Sequence, residues 1–516
     1  MSENKAVKTV GLIIVATAFS RILGFVRQQF LVAIYGESSA LFMTPLRISQ
    51  DFFELFLGAA VLGVFIPVYN SFDNEREKED FANIFLNAVL LATGLLTLAG
   101  IIFSRQIIGF TGFDAESADI MTGLLRILFP MIIFMGAIYT FIGILQSKGE
   151  FLAPALVSAF SNCAIILYFI FLDRHFGLTG LSVVFVISWM VQLLTISVPL
   201  IRKKYRYKFI IDLKNPALVR AVKTALPITA GAWLVPVGML AGIYFTSIFE
   251  RDEFYATAFN ISMNMFLLLT GLLAHGVCNY IFPKLAQSAN SEHDFAEILK
   301  SGLSGLIFIM APVACIAYVL RGEAFAVLFM RGEFTPELTA ATADMFAPLA
   351  PAVILFALIE LLNRVFYSKN LAKFPMAAAL AGICVNFALC YIFINMLGLA
   401  PVYITVASMV CQSAAVVILI IALRSKIRGV LNKKFLVNIA KIVLSAGIML
   451  IIISVLYLAI GNNAFVPGAA GLLRNIGVAL AISAAGLAAY ICANFMLGTS
   501  EWRVMIKIIR KGAVKK

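Results

Sequence analysis

Arg47, Asp51 and Glu54 are spaced i, i+4 and i+7, which on a helix places all three on one stripe. Two more arginines, Arg21 and Arg27, precede them, and every one of the five lies in a strongly apolar stretch. An ionisable side chain inside a bilayer is costly unless it is paired or faces a wet cavity, so such residues are functional candidates. Three arginines against two carboxylates leave a positive surplus. The planar guanidinium fork matches phosphate oxygens two at a time, so this group suits an anionic headgroup. The structural alternative is an Arg47–Asp51 ion pair with Arg21 and Arg27 snorkelling to an interface. Deeper in the second half, His275 and Glu360 each have the chemistry of a proton-coupling group or of a hydrogen-bonded structural residue. Arg126, Asp344 and Arg364 complete the intramembrane candidates, while Lys223, Lys441 and Arg474 near helix starts read as interface anchors.

Other chemistries lack their residues. There is no G-x-x-x-x-G-K-[ST] loop, no metalloprotease motif and no nucleophile elbow, which argues against an ATP-driven pump and an intramembrane hydrolase. The seven cysteines fall in apolar runs with no C-x-x-C pair, so they read as small core residues, and no metal or cofactor is expected. A net charge of +13 could suit nucleic acid, but the cations gather in loops and the tail, so nucleic acid is not expected as a partner.

Elements that hold such charges must be membrane spans. Of 516 residues 62% are hydrophobic and 13% charged, too little polar surface for a soluble protein of this size. Apolar windows predict spans near 8–35, 48–70, 81–103, 120–146, 152–172, 178–200, 218–248, 254–284, 299–320, 340–368, 375–396, 401–423, 437–460 and 471–497. The first contains Arg21 and Arg27 and no small-residue cleavage site, so it is expected to be retained. The fold class is all-α, polytopic, about fourteen transmembrane helices. Basic residues crowd the sixth connection (Arg202, Lys203, Lys204, Arg206, Lys208, Lys214), the twelfth (Arg424, Lys426, Arg428, Lys433, Lys434) and the tail, which predicts cytoplasmic termini. Prolines recur around the second span (Pro45, Pro67) and around the seventh and eighth (Pro227, Pro236, Pro283), a hint of two duplicated bundles.

Several stretches resemble one family. Ser20-Arg21-Ile22-Leu23-Gly24-Phe25-Val26-Arg27 looks like the S-R-x-L-G-F-x-R signature of the MurJ (MviN) lipid II flippases of the MOP exporter superfamily. Phe65-Ile66-Pro67, Leu124 to Pro130, Phe151 to Ala155, Leu328 to Phe334 and Asn363 to Ser368 follow in that family's order. The resemblance implies a V-shaped pair of six-helix lobes, 1–214 and 215–430, around a central cavity, with two further helices and a basic tail over 431–516. It implies transport of an undecaprenyl-pyrophosphate-linked peptidoglycan precursor across the bacterial inner membrane by alternating access, without enzymatic chemistry. Partners implied are the lipid-linked precursor, membrane lipids and the cell-wall synthesis machinery. Arg21 and Arg27 match family arginines thought to hold the pyrophosphate.

The chain also departs from the family. Gln28 stands where the family has an aspartate, Ala40 where it has an acid, Glu54 and Asn264 where it has arginines, and Arg47 in place of a lysine. Some members hold sodium with an asparagine and an acid one turn on; here Asn386 is followed at that spacing by Cys390. The expected substrate-binding set is therefore Arg21, Arg27, Arg47, Asp51 and Glu54, with Glu360, His275 and Asn386 as coupling candidates. Two other transport readings share the scaffold: a flippase for an O-antigen or exopolysaccharide unit, favoured by the missing arginines, and a cation-coupled exporter, which would want a deep acid such as Glu360. A scaffold with a decayed cavity is a further alternative.

Overall fold

The computed structural model describes residues 3–288, 291–369, 371–427, 429–461 and 472–503. The described residues are helical with turns and short connections, and contain no strand. Two compact units divide the chain, Met1–Thr257 and Ala258–Lys516.

The first unit holds α1 (Glu3–Tyr35), α2 (Ser39–Phe53), α3 (Ala59–Asn70), α4 (Glu75–Ile102), α5 (Ser104–Gly109), α6 (Ala115–Leu128), α7 (Met131–Ser147), α8 (Leu152–Phe171), α9 (Asp173–Arg202), α10 (Pro216–Ala232) and α11 (Leu234–Thr246). Helix α12 (Asp252–Gln287) begins in the first unit and runs on into the second. The second continues with α13 (Glu292–Val319), α14 (Arg321–Phe329), α15 (Pro336–Phe346), α16 (Leu349–Ser368), α17 (Lys373–Cys390), α18 (Val402–Lys426), α19 (Lys433–Leu456) and α20 (Leu472–Leu497).

The apolar stretch Val15–Asn70 is 56 residues long, about 84 Å at helical rise, far beyond one bilayer thickness. It must cross twice, and it turns at Gly36–Ser38, where Gly36 has φ +51° and any side chain would be strained. Two further spans are bent pairs, α6 with α7 at 40° and α10 with α11 at 46°. Among the described residues, with each pair counted once and Val15–Asn70 counted twice, the apolar helices number the fourteen expected from hydropathy.

Local chemistry explains the element ends. Asn74, Asp114, Asn215, Ser291, Thr335 and Asn432 each accept a hydrogen bond from a first-turn N–H of the helix that follows. Pro216 and Pro336 occupy the first helical turn, where a missing N–H costs nothing. Inside the membrane the sequence was less legible. The second span begins at Ser39 rather than near 48, since Leu41 to Pro45 are buried and packing carries the helix through Pro45. The span expected over 340–368 is two helices, broken at Ala347 and Pro348.

Phe65 is the centre of the first unit's core. Its ring stacks on Tyr69 and Phe81 and meets Phe85 at 5.0 Å, so α3 and α4 lock together through aromatic faces. Gly143 on α7 lets that ring approach; a Cβ there would stand 2.7 Å from it. In the second unit α19 and α20 pack on each other and on α13 through Ile442, Met449, Ile453 and Tyr490, whose hydroxyl donates to the Phe308 carbonyl at 3.0 Å. The cysteines are less uniform than expected: Cys278, Cys390 and Cys411 are buried, but Cys163, Cys384 and Cys492 are exposed on apolar helices.

Candidate functional site

The motif Ser20 to Arg27 presents one helical stripe to α8. Ser20, Gly24 and Arg27 are spaced i, i+4 and i+7, and all three meet Asn162 or its neighbours. Arg27 Nη1 donates to Asn162 Oδ1 at 3.0 Å, Asn162 Nδ2 donates to the Ser20 carbonyl at 3.2 Å, and Ser20 Oγ donates to the Ala155 carbonyl at 2.9 Å. Gly24 leaves room for the Asn162 amide, which a Cβ would meet at 3.4 Å. The guanidinium also lies 5.0 Å from the Phe185 ring, whose other neighbour is Phe42 on α2. Arg27 is thus held between α8 and α9 rather than snorkelling to an interface.

Arg21 is on a different face of α1. It is half-buried and makes no ion pair among the described residues. Two contacts fix the register of the hairpin between α1 and α2: Gln28 Nε2 on Met43 Sδ at 3.6 Å, and Ser39 Oγ on the Leu31 carbonyl at 3.4 Å.

On α2 the expected stripe is present. Arg47 Nε lies 3.4 Å from Asp51 Oδ2, both side chains being largely buried. Neither atom has a hydrogen-bond partner among the described residues, and the same holds for Thr44 Oγ1 one turn earlier. A contiguous buried stripe therefore keeps unused hydrogen-bonding capacity, which native cores seldom tolerate. Glu54 opens a π-helical turn, Glu54–Gly58, and its carboxylate folds over Gly58. Such turns shift the helical register by one residue and recur at functional positions.

The π turn has a partner that sequence reasoning missed. Trp233 sits at the bend between α10 and α11, and its indole Nε1 donates to the Leu55 carbonyl at 2.8 Å. Pro236 lacks the N–H that would bond the Ala232 carbonyl, which explains the bend. The signals were present but weak: Asn162 as a lone amide in an apolar helix, and Trp233 three residues ahead of a proline.

The second-half candidates lie apart from one another in function. Glu360 Oε1 is bound by Arg364 Nη2 at 2.8 Å, an i, i+4 pair within α16. Asn386 is buried on α17 and donates to Ser408 Oγ at 3.4 Å, with Cys390 buried one turn on. The His275 side chain lies outside the described residues. Asp344, Arg126 and Lys223 are exposed, so none is a buried charge, and Arg126 Nε donates to Ser104 Oγ at 2.8 Å. Among the described residues no cluster of metal-ligating side chains occurs.

Comparison with known proteins gives these helices a family. The sequence profile described as lipid II flippase MurJ matches residues 35–473. A probable lipid II flippase MurJ of Bdellovibrio bacteriovorus is 26% identical over 417 residues, covering 78% of this chain and 79% of that protein. The Rhizobium meliloti protein of the same description is 24% identical and covers 99% of this chain and 97% of its own length. Among solved structures, a lipid II flippase MurJ in an inward closed conformation superposes with a TM-score of 0.73 at 22% identity over 92% of this chain and 97% of that one. An inward-facing MATE multidrug transporter of the MOP superfamily gives 0.66 at 14% identity, over 79% of this chain and 94% of that one. The match extends over most of the fourteen-span sequence and includes the whole α2 stripe and the Trp233 bend: this chain belongs to the lipid II flippase MurJ family.

Proposed function

We propose that this protein is a transporter that carries lipid II across the bacterial inner membrane, with Arg21 and Arg27 on α1 and the Thr44, Arg47 and Asp51 stripe of α2 engaging its pyrophosphate and adjoining polar groups. The observation that carries the site assignment is the buried stripe of α2, where Thr44 Oγ1, Arg47 Nε and Asp51 Oδ2 make no hydrogen bond among the described residues. A dianionic pyrophosphate supplies acceptors to guanidinium donors, and the sugar hydroxyls of the substrate supply donors to Asp51. Arg27 differs from Arg21 in being pre-oriented by Asn162 and Phe185, so little side-chain entropy is lost when it binds.

No covalent step is needed. Binding energy has only to differ between the two access states for the substrate to be moved. Glu54 sets the balance of charge, standing where the family has an arginine, and its position at the π turn ties it to the Trp233 bend. Loop charges support cytoplasmic termini, which leaves the membrane potential able to act on mobile charge at about 2.3 kcal/mol per charge per 100 mV.

The test is replacement in cells depleted of their own lipid II flippase, with labelling of externally exposed lipid II. The wild-type chain is expected to restore the exposed pool, and Arg21→Ala and Arg27→Ala to fail at normal expression. Full restoration by both variants would remove the pyrophosphate role from these arginines; no restoration by the wild type would remove the substrate.

A further inference from the structure

Residues 203–215, which connect α9 to α10, carry no regular secondary structure, yet Tyr205 to Ile210 are bound to α4. Asn83 is fully buried and uses every group of its amide. Its Nδ2 donates to the carbonyls of Glu79 and Arg206, at 2.8 and 3.3 Å, and its Oδ1 accepts from Tyr205 Oη and the Lys208 N–H, at 2.8 and 2.9 Å. One turn on, Asn87 Nδ2 donates to the carbonyls of Lys208 and Ile210, at 3.1 and 3.0 Å, while its Oδ1 accepts from Tyr207 Oη at 2.8 Å. Lys208 Nζ closes the seam on Asp80 at 3.2 Å. Burial pushes the Tyr205 phenol above its ordinary value, so it remains a donor. The segment is a strap held at a set height on α4.

That height is a boundary. The first turns of α4, Glu75 to Asp80, are charged at every position, whereas Ala88 to Ile102 carry no charge and expose Leu91, Leu95 and Leu98. Asn83 and Asn87 fall between the two, so the strap lies where hydrocarbon gives way to headgroups. Ile201, the last apolar residue of α9, is exposed just before it.

The outward side of the strap matches that location. Phe209, Ile211 and Leu213 are exposed, Phe209 to 76%, as is the part of the Tyr207 ring not turned to Asn87. Arg202, Lys203, Lys204, Arg206 and Lys214 are exposed among them, with Asp212 the single acid of the connection. Exposed apolar side chains would be unfavourable in water, and a row of cations would be unfavourable against hydrocarbon; an anionic headgroup layer accommodates both.

We propose that the strap over residues 202–214 is a binding site for anionic phospholipid, its apolar side chains entering the interfacial layer while Lys203, Lys204 and Arg206 hold lipid phosphates. The Asn83 and Asn87 seam makes the site a built one, because it fixes the backbone of Arg206 and of the Tyr205 that follows Lys203 and Lys204.

The full-length protein, purified into bilayer nanodiscs of phosphatidylglycerol and phosphatidylcholine mixed equally, provides the test, read as the ratio of the two lipids retained on detergent extraction. The wild type should retain phosphatidylglycerol in excess. In the exposed triple variant Lys203→Gln, Lys204→Gln, Arg206→Gln that excess should fall by up to about a hundredfold, since each of the three cations near a charged surface contributes about a factor of five. The Arg counterpart at Lys203 and Lys204 should keep it. An unchanged ratio in the triple Gln variant overturns the proposal. So does loss of the wild-type excess on adding millimolar inorganic phosphate, which would assign the cations to a soluble anion.

Discussion

Trp233 Nε1 donates to the Leu55 carbonyl at 2.8 Å, joining the bend of one span to the π turn of another. The bend exists because Pro236 removes a helix donor, and the carbonyl is available because the π turn reroutes the hydrogen-bond ladder past Glu54. Trp233→Phe keeps an aromatic ring, smaller than the indole, and removes the donor. The expected result is a stability loss of about 1–2 kcal/mol from the unpaired carbonyl, together with a clear drop in exposed lipid II. A thermal melt in detergent paired with the replacement assay separates the two; unchanged transport would show that this contact is only structural.

Gly58→Ala should do the reverse. An added Cβ collides with the Glu54 carboxylate, the far end of a flexible side chain, so the carboxylate must relocate while the backbone stays. Expression and melting temperature should stay near wild type while transport changes. A melt lowered as much as that of a core variant would mean that the π turn itself had been disrupted.

The Arg47–Asp51 pair predicts asymmetric costs. Removing one partner leaves an uncompensated buried charge, worth about 3–5 kcal/mol, whereas replacing both with apolar residues of similar volume is near neutral. Asp51→Leu alone should therefore be less stable than Arg47→Met with Asp51→Leu, although both should fail to transport. Equal stabilities in denaturant titration would show that the pair is solvated.

Asn162→Ala and Arg27→Ala should not add. Asn162 acts on substrate only by orienting Arg27, so in the Arg27→Ala background the second change should cost transport nothing further, while Asn162→Ala alone should give partial loss. Additive losses would give Asn162 a role of its own.

Gly100→Ala tests packing alone. A Cβ there runs into the face of the buried Phe129 ring, which Phe52 fixes edge-on at 5.7 Å, so the ring cannot yield freely. Overpacking of this kind costs about 1–3 kcal/mol. A melt equal to wild type would show slack between α4 and α6.

The sequence by itself determined the class and most of the span count. Apolar windows and flanking charges are read by the bilayer one segment at a time, so each span is legible without knowing its neighbours. It also determined the charged candidates, since a charge in an apolar run stands out wherever the run packs. Tertiary structure alone decided which of those charges are held and by what. Arg21 and Arg27 belong to one motif, yet among the described residues Arg27 alone is bonded, because Asn162, distant in the chain, faces the stripe of Ser20, Gly24 and Arg27. The π turn at Glu54 and the strap on Asn83 and Asn87 were likewise invisible, and only Pro236 hinted at the bend whose Trp233 meets Leu55. Each is settled by a single hydrogen bond or a short set of them between segments far apart in sequence, and no local pattern of hydropathy or charge records which distant carbonyl a side chain will meet.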